Sequence, residues 1–230
     1  MIVLYKEAGI TINQFIESVK EKYPNNKIAY AGRLDPMARG LIPILFDDEC
    51  NDMKSYTSKD KVYRVKVIVG IATDTDDPLG IITHETLIQD INYLVSKYKD
   101  IFTKPMINFN QMYHYFSTKE INRRKKKKDT TIPSTHIVSL YSSTIVSTGS
   151  IDTKEWIESI ITIIDSIDKT KDFRQKTTIE QWEQFNSDSI QYIELELNVS
   201  SGFFVRQFIR DISITIGIPL MCYDIHRFFI

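Results

Sequence analysis

One carboxylate in this chain is placed where it could do chemistry. Gly32 to Gly40 reads Gly-Arg-Leu-Asp-Pro-Met-Ala-Arg-Gly, which puts Asp35 in a short loop between two glycines and directly before a proline. Proline fixes its own φ and pushes the residue before it toward extended conformations, so Asp35 does not belong in a helix interior and can point out of a tight turn. The apolar run Leu41-Ile-Pro-Ile-Leu-Phe46 follows and reads as a short buried strand. An exposed acid on a stiff turn feeding a core strand is a candidate reactive group. Asp-Pro is also an ordinary turn pair, so spacing alone leaves a reactive site and a plain turn both open.

Other clusters can be tested the same way. Asp74, Asp76 and Asp77 stand close together. A calcium loop starting at Asp74 would need an oxygen ligand where Pro78 stands and a glycine where Leu79 stands. His84, His114, His136 and His226 show no ligand spacing, and Cys50 and Cys222 are too few and too far apart for a zinc site or a disulfide framework. No metal is expected. Lys119 followed by Arg123, Arg124, Lys125, Lys126, Lys127 and Lys128 is a dense basic stretch. Such a run is either a solvated loop or a phosphate contact.

The elements that must position these groups are legible from caps and periods. Thr11 and Gln14 form a capping box ahead of a helix whose Ile12, Phe15, Ile16 and Val19 share one face. Tyr63, Val65, Val67 and Val69 alternate with Arg64 and Lys66, as a half-buried strand requires. Thr86 and Gln89 suggest the cap of a second helix, with Leu87, Ile91, Leu94, Val95 and Tyr98 on its buried side. Ile193, Leu195, Leu197 and Val199 form another alternating strand. After Gly202 comes a helix with Phe204, Val205, Phe208, Ile209, Ile212 and Ile216 inward, stopped by Gly217 with Pro219 close behind. Asp152 and Glu155 open a further helix bearing the stripe Trp156, Ile157, Ile160, Ile161, Ile164 and Ile167. That stripe either packs on its own domain or takes a partner protein. Ser166 to Ser189 is polar and is expected to contain a long loop. Strands and helices are interspersed, so the expected class is α+β around a mixed, largely antiparallel sheet flanked by helices.

Length and charge narrow the function. A chain of 230 residues can bury a sizeable core as one large domain or two close lobes. Its formal charge of -1 gives no global pull toward nucleic acid, so RNA affinity would have to come from local clusters of Lys and Arg. Two distant cysteines favour a reducing compartment. No apolar run is long enough to suggest a signal peptide or a membrane span, so a cytoplasmic protein is expected, with the Arg123 to Lys128 run a nuclear address if the host is eukaryotic.

Four ordered motifs resemble the TruB family of pseudouridine synthases. Gly32, Leu34, Asp35, Pro36, Ala38 and Gly40 match the family's Gly-x-Leu-Asp-Pro-x-Ala-x-Gly segment, and Lys61 and Tyr63 match its Lys-x-Tyr strand. Thr73, Asp74, Thr75, Asp77 and Gly80 match a Thr-Asp-Thr-x-Asp-x-x-Gly turn, and Gly202, Arg206 and Asp211 match a late Gly-x-x-x-Arg segment with a downstream Asp. The likeness runs from about Lys6 to Arg227 and lapses between Ser139 and Ser189. It implies a single catalytic domain over 1–230 with a divergent or inserted segment at about 139–189. It also implies cofactor-free isomerisation of a uridine in structured RNA, with tRNA and its T-loop uridine the first choice. Under the resemblance Asp35 attacks the ribose or removes a ribose proton, Arg206 is its ionic partner, Tyr63 is a catalytic residue that stacks on the flipped base or takes part in proton transfer at C5, and Ile225 lines the slot that receives it. Gly32, Arg33, Lys119, Arg123 and Arg124 would hold the RNA. On the residues alone Tyr63 is a core aromatic and Arg206 a helix N-terminal arginine.

The chain also departs from the family pattern. Tyr30 stands where a histidine is usual, Glu7 where a proline follows the lysine, and Tyr113 and His114 where two prolines are usual. Gln111 and Ser117 to Lys119 resemble a Gln-…-Tyr-Ser-Ala-x-Lys segment one residue short, and Asn122 replaces a glycine. The sequence stops at Ile230, where most members continue into a small RNA-binding domain of the PUA type. The competing reading is a non-catalytic structured-RNA-binding protein or RNA folding factor on the same fold.

Overall fold

The computed structural model describes residues 1–126, 134–187 and 189–229. In chain order it runs β1 (Ile2–Lys6), α1 (Ile12–Lys22), β2 (Ile28–Tyr30), β3 (Ala38–Phe46), α2 (Met53–Thr57), β4 (Lys61–Val69), β5 (Ile71–Thr73), β6 (Ile82–Glu85) and α3 (Ile91–Thr103). It continues with β7 (Met106–Met112), α4 (Thr118–Lys126), β8 (Thr135–Asp152), α5 (Thr153–Ser166), α6 (Gln175–Gln184), β9 (Ser189–Val199), α7 (Val205–Ile216) and β10 (Leu220–Phe229). Eight strands form one sheet in the order β1-β3-β10-β4-β9-β8-β7, with β2 also on β3. Every pairing in it is antiparallel except β3 with β10. The sheet is therefore mixed and largely antiparallel. Lys6, Gly40, Arg227, Tyr63 and Leu197 lie on one register line across five strands.

Alternation decides which side chains each face receives. Val65 and Val67 of β4 and Leu195 and Leu197 of β9 point into a core with Phe15 and Val19 of α1 and Phe208, Ile209 and Ile212 of α7. The intervening residue Ile68, with Met221, points to the other face, where Trp156, Ile160 and Ile164 of α5 and Trp182 of α6 form a second core. Arg64 lies on that other face beyond the helices and pairs with Glu196 at 2.7 Å. The capping box of α1 is present, Thr11 and Gln14 each bonding the other's backbone N–H.

Two sequence readings need correction and one gains detail. The second helix is capped by Asp90, which accepts the N–H groups of Asn92 and Tyr93; Thr86 bonds Gly70 instead, and Leu87 is 81% exposed. The stretch from Ser166 to Ser189 contains the helix α6, whose Trp182 is fully buried. The α5 stripe is covered within this chain: Trp156 meets Trp182 edge-on at 5.1 Å and has 1% of its surface exposed. The face offered for a partner protein is thus a core face.

Candidate active site

The Asp35 loop crosses the sheet where β3 begins, and its shape is fixed from beneath. Gly32 (φ +84°) and Gly40 (φ +130°) adopt backbone conformations that L side chains rarely enter. A Cβ on Gly40 would lie 2.1 Å from the Arg227 carbonyl oxygen, so the parallel β3–β10 pairing itself demands glycine there. Arg227, 1% exposed, donates to the carbonyls of Leu41 (2.9 Å), Arg33 (3.2 Å) and Gly32 (3.4 Å). Lys6, fully buried, donates to the carbonyls of Ala38 (2.7 Å), Glu7 (2.9 Å) and Asp35 itself (3.2 Å). Burial pushes the Lys6 ammonium down to about 8, with the nearby Asp35 charge working the other way. Two buried cations therefore hold the loop by its backbone and leave the Asp35 carboxylate free to face outward.

That carboxylate meets Arg206. The Arg206 guanidinium lies 2.6 Å from Asp35 Oδ2 and 2.9 Å from Asp77 Oδ2, and also donates to the Thr75 carbonyl at 2.8 Å. Asp77 and Arg206 are buried, whereas the Asp35 side chain is 45% exposed. One oxygen-bearing end of the bridge is open to solvent and the other is sealed. Burial disfavours the charged guanidinium, but Asp35 and Asp77 outweigh this and hold Arg206 above its ordinary pKa. Burial raises the Asp77 carboxyl, opposed by Arg206 and by the Thr75 hydroxyl that donates to it at 2.7 Å. α7 places Arg206 one residue after the helix start, and Gln111 pairs with both backbone groups of Phe204, the residue before that helix, at 2.9 and 3.0 Å.

The Thr73–Gly80 turn that carries Asp77 is braced from α6. Trp182 donates its indole N–H to the Pro78 carbonyl at 2.8 Å, and the Thr178 hydroxyl donates to the Leu79 carbonyl at 3.2 Å. Arg174 grips Asp74 with two bonds of 2.6 and 3.0 Å. The neighbouring Asp76, at φ +58°, receives His114 Nε2 at 2.8 Å and Arg210 at 3.0 Å on one oxygen. His114 Nδ1 accepts the Phe116 N–H at 3.3 Å, so the ring proton sits on Nε2.

The other expected residues divide. Tyr63, 8% exposed, shares the main core with Leu34, Ala38 and Ile225, and Ile225 pairs with Ala38 three residues beyond Asp35. Arg33 reaches Thr118 of α4 at 3.2 Å. Arg123 is engaged by the buried Glu120 (Nε to Oε2 2.9 Å), and Arg124 lies 3.6 Å over the Tyr115 ring. The Lys119, Lys125 and Lys126 side chains and the whole of Lys127 and Lys128 lie outside the described residues. A groove of about 670 Å³ borders the loop, lined by Asn13, Lys20, Tyr30, Gly32 and Arg33 among others. Among the described residues no cluster of His, Cys, Asp or Glu is built to hold a metal, and no helix is long and apolar enough to cross a membrane. Sequence reasoning missed Asp76, Asp77, His114, Lys6 and Arg227. Asp77 and Lys6 carried a signal, the first from its place in the matched turn and the second as the family's lysine at the start of the likeness.

His114 gives the fold a pH dependence whose sign can be worked out. Burial and the Arg206 charge lower its pKa, against the hydrogen bond that its Nε2–H donates to Asp76. In the unfolded chain it titrates near 6.5, so below that value the unfolded state binds a proton that the folded state refuses. Its stabilising contribution is present above 6.5 and is lost as pH falls through the folded value. Calorimetric Tm should drop between pH 7.5 and 5.5, and less in His114→Gln than in the wild type. Equal drops would remove His114 from the account.

Comparison with known proteins places this geometry. A family model described as TruB family pseudouridylate synthase, N terminal domain, matches residues 20–148. The tRNA pseudouridine synthase B of Blochmanniella pennsylvanica is 30% identical over 102 residues, covering 44% of this chain and 39% of that protein. Its Aquifex aeolicus counterpart is 32% identical over 124 residues, covering 54% of this chain and 42% of that protein. The match thus spans about two fifths of these relatives. Among solved structures, that of a Cbf5-Nop10-Gar1 complex aligns over 98% of this chain and 47% of its own, with TM-score 0.52 and 10% identity. An archaeal box H/ACA sRNP Nop10-Cbf5 complex aligns over 98% of this chain and 46% of its own, with TM-score 0.51 and 12% identity. At such identities the likeness is one of fold, and it is the pseudouridine synthase fold. The family model covers more than half of the chain and carries the Asp35 loop, Tyr63 and Asp77 inside its bounds: the chain belongs to the TruB family of pseudouridylate synthases.

Proposed function

We propose that this chain isomerises a uridine in structured RNA to pseudouridine without a cofactor, and that tRNA is its substrate, with the T-loop uridine the first choice. The observation that carries the reading is the half-exposed Asp35 carboxylate held at 2.6 Å by an Arg206 that is itself anchored on buried Asp77. The reaction breaks the bond from the ribose to N1 of uracil, turns the base, and joins C5 to the same ribose carbon. The C5 proton leaves and N1 gains one, so no redox partner is needed. Asp35 starts the sequence either by attacking the ribose carbon or by removing a ribose proton. Arg206 fixes the direction of the attacking oxygen before substrate arrives, which is where preorganisation lowers a barrier.

A uridine inside folded RNA must leave its stack, at a cost of a few kcal/mol, and needs an apolar slot. Tyr63 stacks on the base and Ile225 lines that slot in this reading. Gly32 and Arg33 approach the backbone, the groove beside them takes flanking RNA, and α4, whose sequence carries Lys119, Arg123 and Arg124, meets phosphates. These contacts cluster around Asp35, so a T-arm hairpin should be modified nearly as well as intact tRNA. Tritium release from RNA labelled at uridine C5 measures both. A kcat/KM ratio near one supports local recognition, and a 100-fold preference for tRNA shows that remote contacts matter. Absence of release from any RNA would overturn the enzymatic reading in favour of a binding protein.

A further inference from the structure

We propose that His114 is a positioning residue that sets α4 against the Asp35–Arg206 pair, so that RNA seated on the basic α4 arrives in register with the carboxylate. The inference rests on the reading above and adds a residue to it. The sequence of α4 carries Lys119, Arg123, Arg124, Lys125 and Lys126, and phosphate contacts fix the register of a bound nucleic acid only as well as the element that makes them is itself held. What fixes its aim is the turn that leads into it. Ser117 donates its N–H to the His114 carbonyl at 2.8 Å, and its hydroxyl accepts the Glu120 N–H at 3.2 Å, so α4 starts directly off His114.

This turn is tied to the site in three independent places. Gln111 at its start holds Phe204, two residues before Arg206. His114 in its middle holds Asp76, whose neighbour Asp77 holds Arg206. Thr118 at its end meets Arg33, two residues before Asp35. Of the three, the His114 contact is the sealed one: the imidazole is fully buried and Asp76 nearly so. The receiving end is stiff as well, because Asp76 sits at φ +58° and its carbonyl accepts the Cys222 N–H of β10 at 2.9 Å. A displacement of α4 is therefore resisted at the peptide next to Asp77, and a shift of about 1 Å at a reacting centre can cost about 100-fold in rate.

The test separates grip from aim. In His114→Ala, kcat on a uridine-bearing stem-loop RNA should fall by about 10- to 100-fold, while Kd and the slope of log Kd against log salt stay within a few-fold of wild type. His114→Gln keeps an N–H at the right reach for Asp76 and should recover most of the lost kcat. His114→Asn is polar but too short, and should behave like alanine; it serves if His114→Ala does not fold. A second readout needs no turnover: the Arg206 Nε–H NMR signal should shift when the stem-loop is added to wild type or His114→Gln, and not when it is added to His114→Ala. A kcat within twofold of wild type, a loss confined to Kd with a flatter salt slope, a loss that glutamine does not relieve, or no Arg206 shift in wild type would each overturn the proposal. A wild type that shifts Arg206 yet modifies no RNA would overturn the enzymatic reading and leave the coupling standing.

Discussion

Asp35→Asn is expected to lower pseudouridine formation by at least about 10³-fold, in the upper part of the range for losing a positioned acid–base or nucleophilic group. RNA affinity should stay within a few-fold. The substitution keeps the shape of the side chain, and the loop is held by Lys6 and Arg227 through backbone carbonyls that asparagine leaves in place. Arg206 also keeps a counter-charge in Asp77, so the chain should still fold. What disappears is the charge that, in the proposed reaction, either attacks the ribose or accepts its proton. Tritium release under single-turnover conditions measures the chemistry, and filter binding measures the affinity. A mutant within tenfold of wild type would remove Asp35 from the reaction.

Arg206→Met should abolish activity and destabilise the fold by about 3–5 kcal/mol, because it strands the Asp77 carboxylate in a buried site. Asp77 is 3% exposed, and although Thr75 and Leu79 still donate to its other oxygen, the oxygen facing Arg206 is left without its cation. Adding Asp77→Asn to Arg206→Met should return most of the lost stability and none of the activity, since the buried charge is gone while Asp35 still lacks its partner. Urea unfolding of the two single variants and the double variant gives the comparison. If the double variant is as unstable as Arg206→Met, the cost lies in packing around the α7 start and not in a stranded charge. Arg206→Lys is a milder probe: one ammonium cannot span both carboxylates as a planar guanidinium does.

Local pattern found the parts of this site that a local pattern can encode. The Gly32 to Gly40 segment is continuous, so its two strained glycines, its proline and its acid all appear within nine residues. The α1 capping box and the alternation of β4 and β9 depend on neighbours one to four positions away, and they were legible for that reason. The second helix was misread because Thr86 and Gln89 satisfy the same box three residues apart; the Thr86 N–H is taken by Gly70 in a turn contact, which leaves Asp90 to cap. α6 was not singled out, because its outward residues are polar and Trp182 is its one fully buried apolar side chain. Asp76 and His114 were out of reach altogether. They meet across 38 residues, and neither belongs to a period or motif that singles it out.

The parallel pairing of β3 with β10 also bears on the time course of folding. β3 and β4 follow each other in the chain, yet β10 lies between them in the sheet, with Gly40 and Tyr63 on either side of Arg227. Neither strand can gain this shared neighbour until β10 arrives, so β3 and β4 are joined in the sheet only through a segment about 150 residues or more further along the chain. Loop-closure entropy for such distant partners is met before the contacts reward it, which puts topologies of this kind among the slow folders. During synthesis the Asp35 loop would emerge with Lys6 already made and wait for Arg206 and Arg227, which follow much later. A chain stalled between these segments carries the Gly32 to Gly40 loop without the Arg206 guanidinium that meets its carboxylate.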